Sequence, residues 1–284
     1  MERGKEPVES IAAFERARRV RWWLLGAALA IATSCSAGGE SGGAANNYDA
    51  LMRVADRARE SGDPSNAVPI YQRAHEINPR EPEPLVRIGQ SLLQAGNVPE
   101  AAASFQEALK LRPSDPEALR GLGGALIAMN QPELALEQYE AALRAEPGDA
   151  RALNGAGVAL DLLGRPDEAQ VRYDAALKAD PANLAARNNF GLSLISTGRY
   201  PEAILLLQDA AGQPGANSRT RGNLALAYGL QGDMPQAMRW LRADMDEPSA
   251  QRYLAYFGQL RSATPEVRAA SIRANPEYYP SGRR

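Results

Sequence analysis

The sequence predicts an all-α protein, a solenoid of about six helix pairs with a C-terminal capping helix. Prolines recur at a spacing of 34 residues, at Pro79, Pro113, Pro147 and Pro181. Small residues and bulky residues recur in the same register. The composition agrees, because only 6% of the residues are aromatic while alanine and leucine are abundant. That mixture favours helices packed through small contacts over a β-sandwich.

Three sets of positions keep the register. The small residues of the second helices are Ala67, Ala101, Ala135, Ala169, Ala203 and Ala237; those of the first helices are Ala55, Gly89, Gly123, Gly157, Gly191 and Ala225. The bulky set is Tyr71, Phe105, Tyr139, Tyr173, Leu207 and Leu241. A leucine at the small positions would overpack the helix contact at a cost of about 1–3 kcal/mol. This pattern resembles the tetratricopeptide repeat, two antiparallel helices per unit. The resemblance implies a right-handed superhelical solenoid.

Local signals mark where the helices begin and turn. Asp115, followed by Pro116 and Glu117, predicts a helix start with a capping oxygen, a proline in the first turn and an acid near the positive helix end. Glycines where paired helices turn predict a positive φ, at Gly96, Gly164, Gly198 and Gly232. We therefore expect six repeats over 48–247, capping helices over 248–275 and a loose tail over 276–284.

The first part of the chain predicts export. Residues 16–34 combine a basic stretch, a short apolar run and small residues, which is typical of a secretory signal. The residues before Cys35 resemble a bacterial lipobox, so residues 1–34 are predicted to be a lipoprotein signal peptide and Cys35 the lipidated residue. Residues 35–47 would then carry the lipid and a flexible tether. Ser36 favours an outer-membrane lipoprotein facing the periplasm. A non-cleaved anchor, or a signal peptide with an incidental cysteine, is the alternative.

Composition and motifs argue against catalysis, cofactors and nucleic acid. The chain has one cysteine and one histidine, too few for a structural zinc site or an internal disulfide. No metalloprotease helix motif, phosphate-binding glycine loop or nucleophile elbow occurs. The net charge of −2 gives no electrostatic case for DNA or RNA as the main partner. We therefore predict a non-enzymatic scaffold that requires no cofactor and binds proteins.

The fifth and sixth positions of the first helices are predicted to face a concave groove that holds a peptide. Five candidate groove residues occupy these positions, namely Arg120, Asn154, Asn188, Asn189 and Asn223, and Arg151 is a sixth candidate. Asparagine can donate to and accept from an extended backbone, and arginine can hold a carboxylate. The alternative is that these side chains are solvated or join one repeat to the next. For Asn188 and Asn189 the sequence leaves both interpretations open.

Four strings carry a more specific resemblance: YDALMRVAD (48–56), NGAGVALDLLGR (154–165), RNNFGLSL (187–194) and NLALAYGLQGD (223–233). They resemble the TadD family, tetratricopeptide lipoproteins of the tight-adherence (Flp) pilus system, and the ending YLAYF (253–257) fits as well. The resemblance implies an assembly factor at the outer membrane whose partners are the pilus secretin or other pilus components, with the bilayer held through acylated Cys35. The alternative is a general envelope scaffold, or a regulatory subunit, for another secretion or cell-wall machine.

Overall fold

The computed structural model describes the backbone of residues 40–213 and 215–274, and the side chains from Asn47 onward. This part of the chain consists of helices joined by turns and short loops, with no strand. Its helices are α1 (Glu40–Glu60), α2 (Pro64–Ile77), α3 (Glu83–Gln94), α4 (Val98–Leu111), α5 (Pro116–Ala128), α6 (Pro132–Ala145), α7 (Ala150–Leu162), α8 (Pro166–Ala179), α9 (Leu184–Ser196), α10 (Tyr200–Ala211), α11 (Ser218–Gln231), α12 (Met234–Leu241), α13 (Glu247–Ser262) and α14 (Pro265–Ala274). The predicted fold class, an all-α solenoid, is confirmed.

The helices from α1 to α12 form six successive pairs. Each pair from α3/α4 to α11/α12 is in direct contact, and α1 packs on α2 through the buried Met52, Ala55 and Tyr71. The first helices α3, α5, α7, α9 and α11 also contact one another in succession, whereas neighbouring second helices of the described chain do not to a comparable degree. In a curved stack the more closely spaced row lies on the inside. The first helices therefore form the concave face.

Glycines allow the pairs to pack closely around bulky side chains. The buried ring of Phe105 lies between Gly89 of its own pair and Gly121 of the next pair. A Cβ at either glycine would come within 3.0 Å of the ring carbons. Tyr139 is enclosed in the same way by Gly123 and Gly155. The predicted requirement for a small residue in the first helix is thus confirmed, and it extends to the glycines of the following pair.

A buried carboxylate joins the fourth pair to the fifth. Asp161 on α7 is only 2% exposed. The Tyr173 hydroxyl donates to its Oδ2 at 2.9 Å, and the Ser193 hydroxyl of α9 donates to its Oδ1 at 2.8 Å. Buried polar groups are retained where such partners are present. This network fixes the register of α7, α8 and α9.

The predicted helix start and turns are present in the structure. The Asp115 carboxylate accepts from the Ala118 backbone N–H at 2.9 Å, and thereby caps α5. Positive φ values occur at all four predicted turn glycines, for example 72° at Gly164. In the third pair Asn130 takes this conformation, with φ of 57°. Asparagine is among the few residues that adopt it at low cost.

The C-terminal helices cover the last pair and return toward the middle of the solenoid. α13 contacts α11 and α12, and α14 contacts α9. The Arg268 guanidinium donates to the carbonyls of Leu260, Arg261 and Ala263 at 2.9–3.0 Å. It also donates to the Tyr200 hydroxyl at 2.7 Å, 68 residues away in the chain. Arg268 thus ties the C-terminal end of α13 to the start of α10.

The predicted leader and the predicted tail fall outside the described residues. These comprise the signal peptide at 1–34, Cys35 and the tail at 276–284. The flexible tether predicted for 35–47 differs from the structure in part, because α1 begins at Glu40. Extending a helix costs far less than nucleating one. Burial of Met52 and Ala55 holds the nucleus of α1, from which the helix continues backward into the glycine-rich stretch.

Candidate functional site

The concave face carries two cavities that extend from the second to the sixth pair. The larger, of about 480 Å³, is lined by groups from α5, α7, α9 and the start of α11; the smaller, of about 250 Å³, lies toward α3. Tyr139 lines both. We call the two cavities together the groove. Its position matches the concave surface that the first helices were predicted to line.

Four of the predicted groove residues are asparagines, and the structure joins them in two pairs. The Asn189 Nδ2 donates to Asn154 Oδ1 at 3.0 Å, and the Asn223 Nδ2 donates to Asn188 Oδ1 at 3.1 Å. The first bond links α7 to α9, and the second links α9 to α11. The inter-repeat bonding left open by the sequence is therefore present for both Asn188 and Asn189.

The two pairs differ in how much they offer to a ligand. Asn223 is 1% exposed and does not line the groove. Asn154 and Asn189 are half-buried and line the larger cavity. The bond between the two side chains uses Asn189 Nδ2 and Asn154 Oδ1 and leaves Asn154 Nδ2 and Asn189 Oδ1 without a hydrogen-bond partner in the described chain. This pair thus presents one donor and one acceptor side by side, the pattern that a peptide group complements.

The two predicted arginines have different surroundings. Both line the smaller cavity. Arg120 forms an ion pair with Asp149, the residue that caps α7, and lies 4.0 Å from Glu146. Arg151 is exposed, and only its backbone N–H is engaged, by Asp149 Oδ1 at 2.9 Å. Arg120 therefore links two repeats, while Arg151 has a guanidinium without an ion-pair partner among the residues described.

Tyr139 is a groove residue that sequence reasoning assigned to packing alone. Its counterparts have internal partners: the Tyr71 hydroxyl donates to Asp56 at 2.6 Å and the Tyr173 hydroxyl donates to Asp161. In the third pair, the position equivalent to Asp56 is Gly124, 68 residues later, and the position equivalent to Asp161 is Ile127, 34 residues earlier. The Tyr139 hydroxyl accordingly has no hydrogen-bond partner in the described chain.

The Tyr139 hydroxyl remains a donor over the physiological pH range. Burial raises the pKa of the phenol well above its ordinary value, because the charged phenolate would be desolvated. The ring is 7% exposed and borders both cavities. The sequence identifies Tyr139 as a groove residue through a difference at two positions. The third pair has Gly124 and Ile127 where other pairs have the aspartates that bind the tyrosine hydroxyl. The similar size of the bulky residues does not reveal this difference, because it concerns the polar partner of the hydroxyl.

The described residues contain neither a metal-binding cluster nor a membrane-spanning helix. No group of three or more histidine, cysteine, aspartate or glutamate side chains there could hold a metal ion. None of the helices in that part of the chain is both long and apolar enough to cross a bilayer. What remains is a rigid concave surface with hydrogen-bonding side chains. Such a surface defines the class of helical-repeat proteins that bind other polypeptides.

Models of the tetratricopeptide repeat match the chain at residues 58–103, 92–157 and 163–219. Together these matches span more than half of the 284 residues. The chain belongs to the tetratricopeptide-repeat family. Members of this family typically act as non-catalytic scaffolds that bind peptide or protein partners in the concave groove. Among proteins with curated descriptions, none matches the sequence.

Solved structures share the fold. MamA from Desulfovibrio magneticus RS-1, residues 41 to the end, is 25% identical with a TM-score of 0.51, covering 58% of this chain and 93% of that one. PilF from Pseudomonas aeruginosa is 17% identical with a TM-score of 0.64, covering 75% and 99%. PilW, described as a widely conserved type IV pilus biogenesis factor, is 17% identical with a TM-score of 0.65, covering 73% and 98%. At 17% identity the last two likenesses concern the fold alone.

Proposed function

We propose that this protein is a lipid-anchored adaptor at the periplasmic face of the outer membrane. In this role it holds a segment of a pilus component, the secretin first of all, while the tight-adherence pilus assembles. It performs no catalysis of its own and needs no cofactor. The observation that carries the binding role is the groove, where Tyr139, Asn154 and Asn189 present unpaired hydrogen-bonding groups on a rigid concave surface.

The groove suits an extended polypeptide. An extended chain exposes backbone N–H and C=O groups, and recognition of these groups gives affinity with little demand on sequence. The Tyr139 hydroxyl and Asn154 Nδ2 supply donors, and Asn189 Oδ1 supplies an acceptor. Gly124 leaves room for the ligand, because the Tyr139 hydroxyl, at 3.8 Å, is the only atom found in the described chain within 4 Å of an added Cβ there. The first helices pack directly on one another, so the surface is organised before the partner arrives.

The pilus part of the proposal rests on the sequence. The four strings that resemble the TadD family fall within α1, within α7 and the turn after it, within α9, and within α11 and the turn after it. PilW is a pilus biogenesis factor by description, and its likeness adds a fold suited to the same task. The general envelope scaffold and the regulatory subunit remain the alternatives. Each predicts a different partner for the same groove.

Tyr139→Phe is the variant that tests the groove. It keeps the ring in its place between Gly123 and Gly155 and removes only the hydroxyl. A hydrogen bond contributes about 0.5–1.5 kcal/mol, so we expect the partner to bind about 2- to 12-fold more weakly. The partner is recovered by pull-down from envelope extract and identified by mass spectrometry. Its affinity is then measured by titrating the purified partner.

The matched control is Tyr71→Phe. It makes the same chemical change in the first pair, where the hydroxyl is bound to Asp56 and borders neither cavity of the groove. We expect the free energy of unfolding to fall slightly, because a hydrogen bond to Asp56 is lost. The affinity for the partner should stay within twofold, because this bond lies outside the groove. Recovery of the secretin would support the pilus assignment. Recovery of a cell-wall hydrolase, or of another secretion machine with no pilus component, would refute it.

The anchoring proposal is tested at Cys35. A lipidated cysteine carries enough acyl chain for stable membrane binding, since each buried methylene contributes about 0.8 kcal/mol. We expect wild-type protein to incorporate labelled palmitate and to sediment with outer membranes. Cys35→Ser should lose the label and leave the outer-membrane fraction. A variant that keeps the membrane location without the label would contradict lipidation and favour a non-cleaved anchor.

A further inference from the structure

The charged side chains that line the groove divide into paired and unpaired groups. Glu117 accepts from Arg87 at 3.2 Å and from Gln90 at 2.9 Å, and Arg120 is bound to Asp149. Arg151 and Arg219 are exposed, and neither guanidinium has a hydrogen-bond or ion-pair partner within the described residues. The groove therefore has an excess of two positive charges, within a chain whose formal net charge is −2.

The two free arginines occupy the same position in two repeats. Arg151 is the second residue of α7 and Arg219 is the second residue of α11, 68 residues later. Between them, at the second position of α9, lies Ala185, which lines the larger cavity. The first turn of a helix favours anions and disfavours cations, because its free N–H groups carry partial positive charge. This field supports carboxylate binding beside Arg219, where the cap of α11 is the neutral Asn217, whereas beside Arg151 the cap of α7 is the carboxylate of Asp149.

Two buried polar groups of the groove are left for the ligand, one at the border of the two cavities and one on α9, between α7 and α11. The Tyr139 hydroxyl and the Asn188 Nδ2 have no hydrogen-bond partner in the described chain, although these residues are only 7% and 5% exposed. Both residues line the larger cavity. Both groups are donors, so they require acceptors from a ligand such as backbone carbonyl oxygens. The other walls near them include Val158 and Leu184, which carry no charge.

The spacing of the arginines sets the length of the ligand. Packed helices lie about 8–10 Å apart, so two steps from α7 through α9 to α11 span about 16–20 Å. An extended chain advances about 3.3 Å per residue. About five or six residues therefore separate two side chains that reach the two arginines.

We propose that the groove binds an extended acidic segment in which two carboxylates, five or six residues apart, contact Arg151 and Arg219. The residues between the carboxylates are uncharged, and one of their carbonyls accepts from Asn188. A carbonyl beside the residue that contacts Arg151 accepts from Tyr139, which lines the smaller cavity together with Arg151. This inference rests on the proposed partner-binding role of the groove and defines the chemistry of the partner. It differs from the sequence-based expectation, in which Arg120 and Arg151 served together.

The test uses the full chain, purified from membranes in detergent, and a displayed library of random twelve-residue peptides. Enriched peptides should carry two acidic residues that lie about five or six residues apart. The tightest peptide is then labelled and titrated against Arg151→Glu/Arg219→Glu. We expect its affinity to fall at least about tenfold, since each charged hydrogen bond carries a large share of binding. Replacing both acids of the peptide by lysine should restore binding to this variant.

Arg144→Glu is the control for charge reversal outside the groove, and it makes half the change in net charge of the double variant. Arg144 is exposed on the last turn of α6 and lines neither cavity. We expect its affinity for the peptide to stay within twofold of wild type. Enriched peptides without paired acids, or a double variant that binds as well as Arg144→Glu, would overturn the proposal. The pilus assignment fails separately, through the pull-down, because the library contains no pilus protein.

Discussion

Gly121→Ala is expected to lower the free energy of unfolding by about 1–3 kcal/mol, the usual cost of adding a methyl group to a filled contact. The direction is opposite to the general rule, since alanine in a helix interior is about 0.5–1 kcal/mol better than glycine. The reason is that the Phe105 ring lies between Gly121 and Gly89, and a Cβ at either position would fall within 3.0 Å of it. The ring cannot move away from one methyl without approaching the other helix. Far-ultraviolet circular dichroism in urea measures the change.

Gly222→Ala is the matched control for that experiment. Gly222 lies inside α11, and no side chain or neighbouring backbone atom lies within 4 Å of the position of an added Cβ. Only helix propensity acts there, so we expect the free energy of unfolding to rise by about 0.5–1 kcal/mol. Opposite signs for the two substitutions identify close packing as the cause. If both stabilise the protein, the account of the Phe105 contact is wrong.

Asp161→Ala is expected to destabilise the solenoid by about 2–5 kcal/mol, because each buried polar group that loses its partner costs about 1–3 kcal/mol. The substitution removes an acceptor from two buried hydroxyls, those of Tyr173 and Ser193. The network joins α7 and α8 to α9, so the loss should appear at the junction between the fourth and fifth pairs. Hydrogen exchange measured by mass spectrometry should speed up, relative to wild type, more in α9 than in α3.

Asp174→Ala removes a carboxylate of a different kind. Asp174 is exposed and pairs with Lys178 four residues later on the same helix face. Exposed pairs of this type contribute about 0.3–0.5 kcal/mol, so we expect a change of that size or less. A comparable loss of stability in the two variants would show that burial of Asp161 has no special weight. The Asp161 result would then reflect a general effect of lost negative charge.

The sequence predicted most of the fold because the fold is repeated. The register of 34 residues places Gly157 against Tyr173 and Gly191 against Leu207, and these contacts are present in the structure. When a residue type recurs at the same position in six units, the pattern alone predicts the packing role of that position. The tether is the exception, since helix α1 extends backward to Glu40 from a buried nucleus. The glycine-rich stretch predicted a tether because glycine disfavours a helix. The helix nevertheless extends through it, because extending a helix from a part held by packing costs far less than nucleating one.

The candidate site was predictable as a surface and less so as a set of contacts. The position of Asn154 and Asn189 on first helices followed from the register, and the structure lines the larger cavity with both. Which of their polar atoms are occupied depended on distances between neighbouring repeats. The bond from Asn189 to Asn154 uses one group of each side chain and leaves the other group of each toward the groove.

The sequence by itself determined the helical repeat, the concave row of first helices and the residue types along it. It also carries the lipoprotein and pilus predictions, which the experiments on Cys35 and on the pull-down address. Only the tertiary structure showed that Arg120 is bound to Asp149 while Arg151 has no ion-pair partner in the described chain. It alone also showed that Tyr139 lacks the hydrogen bond that Tyr71 and Tyr173 make. The physical reason is that periodicity specifies where a side chain lies, whereas its hydrogen-bond partner comes from another helix. That partner is known only when the helices are packed.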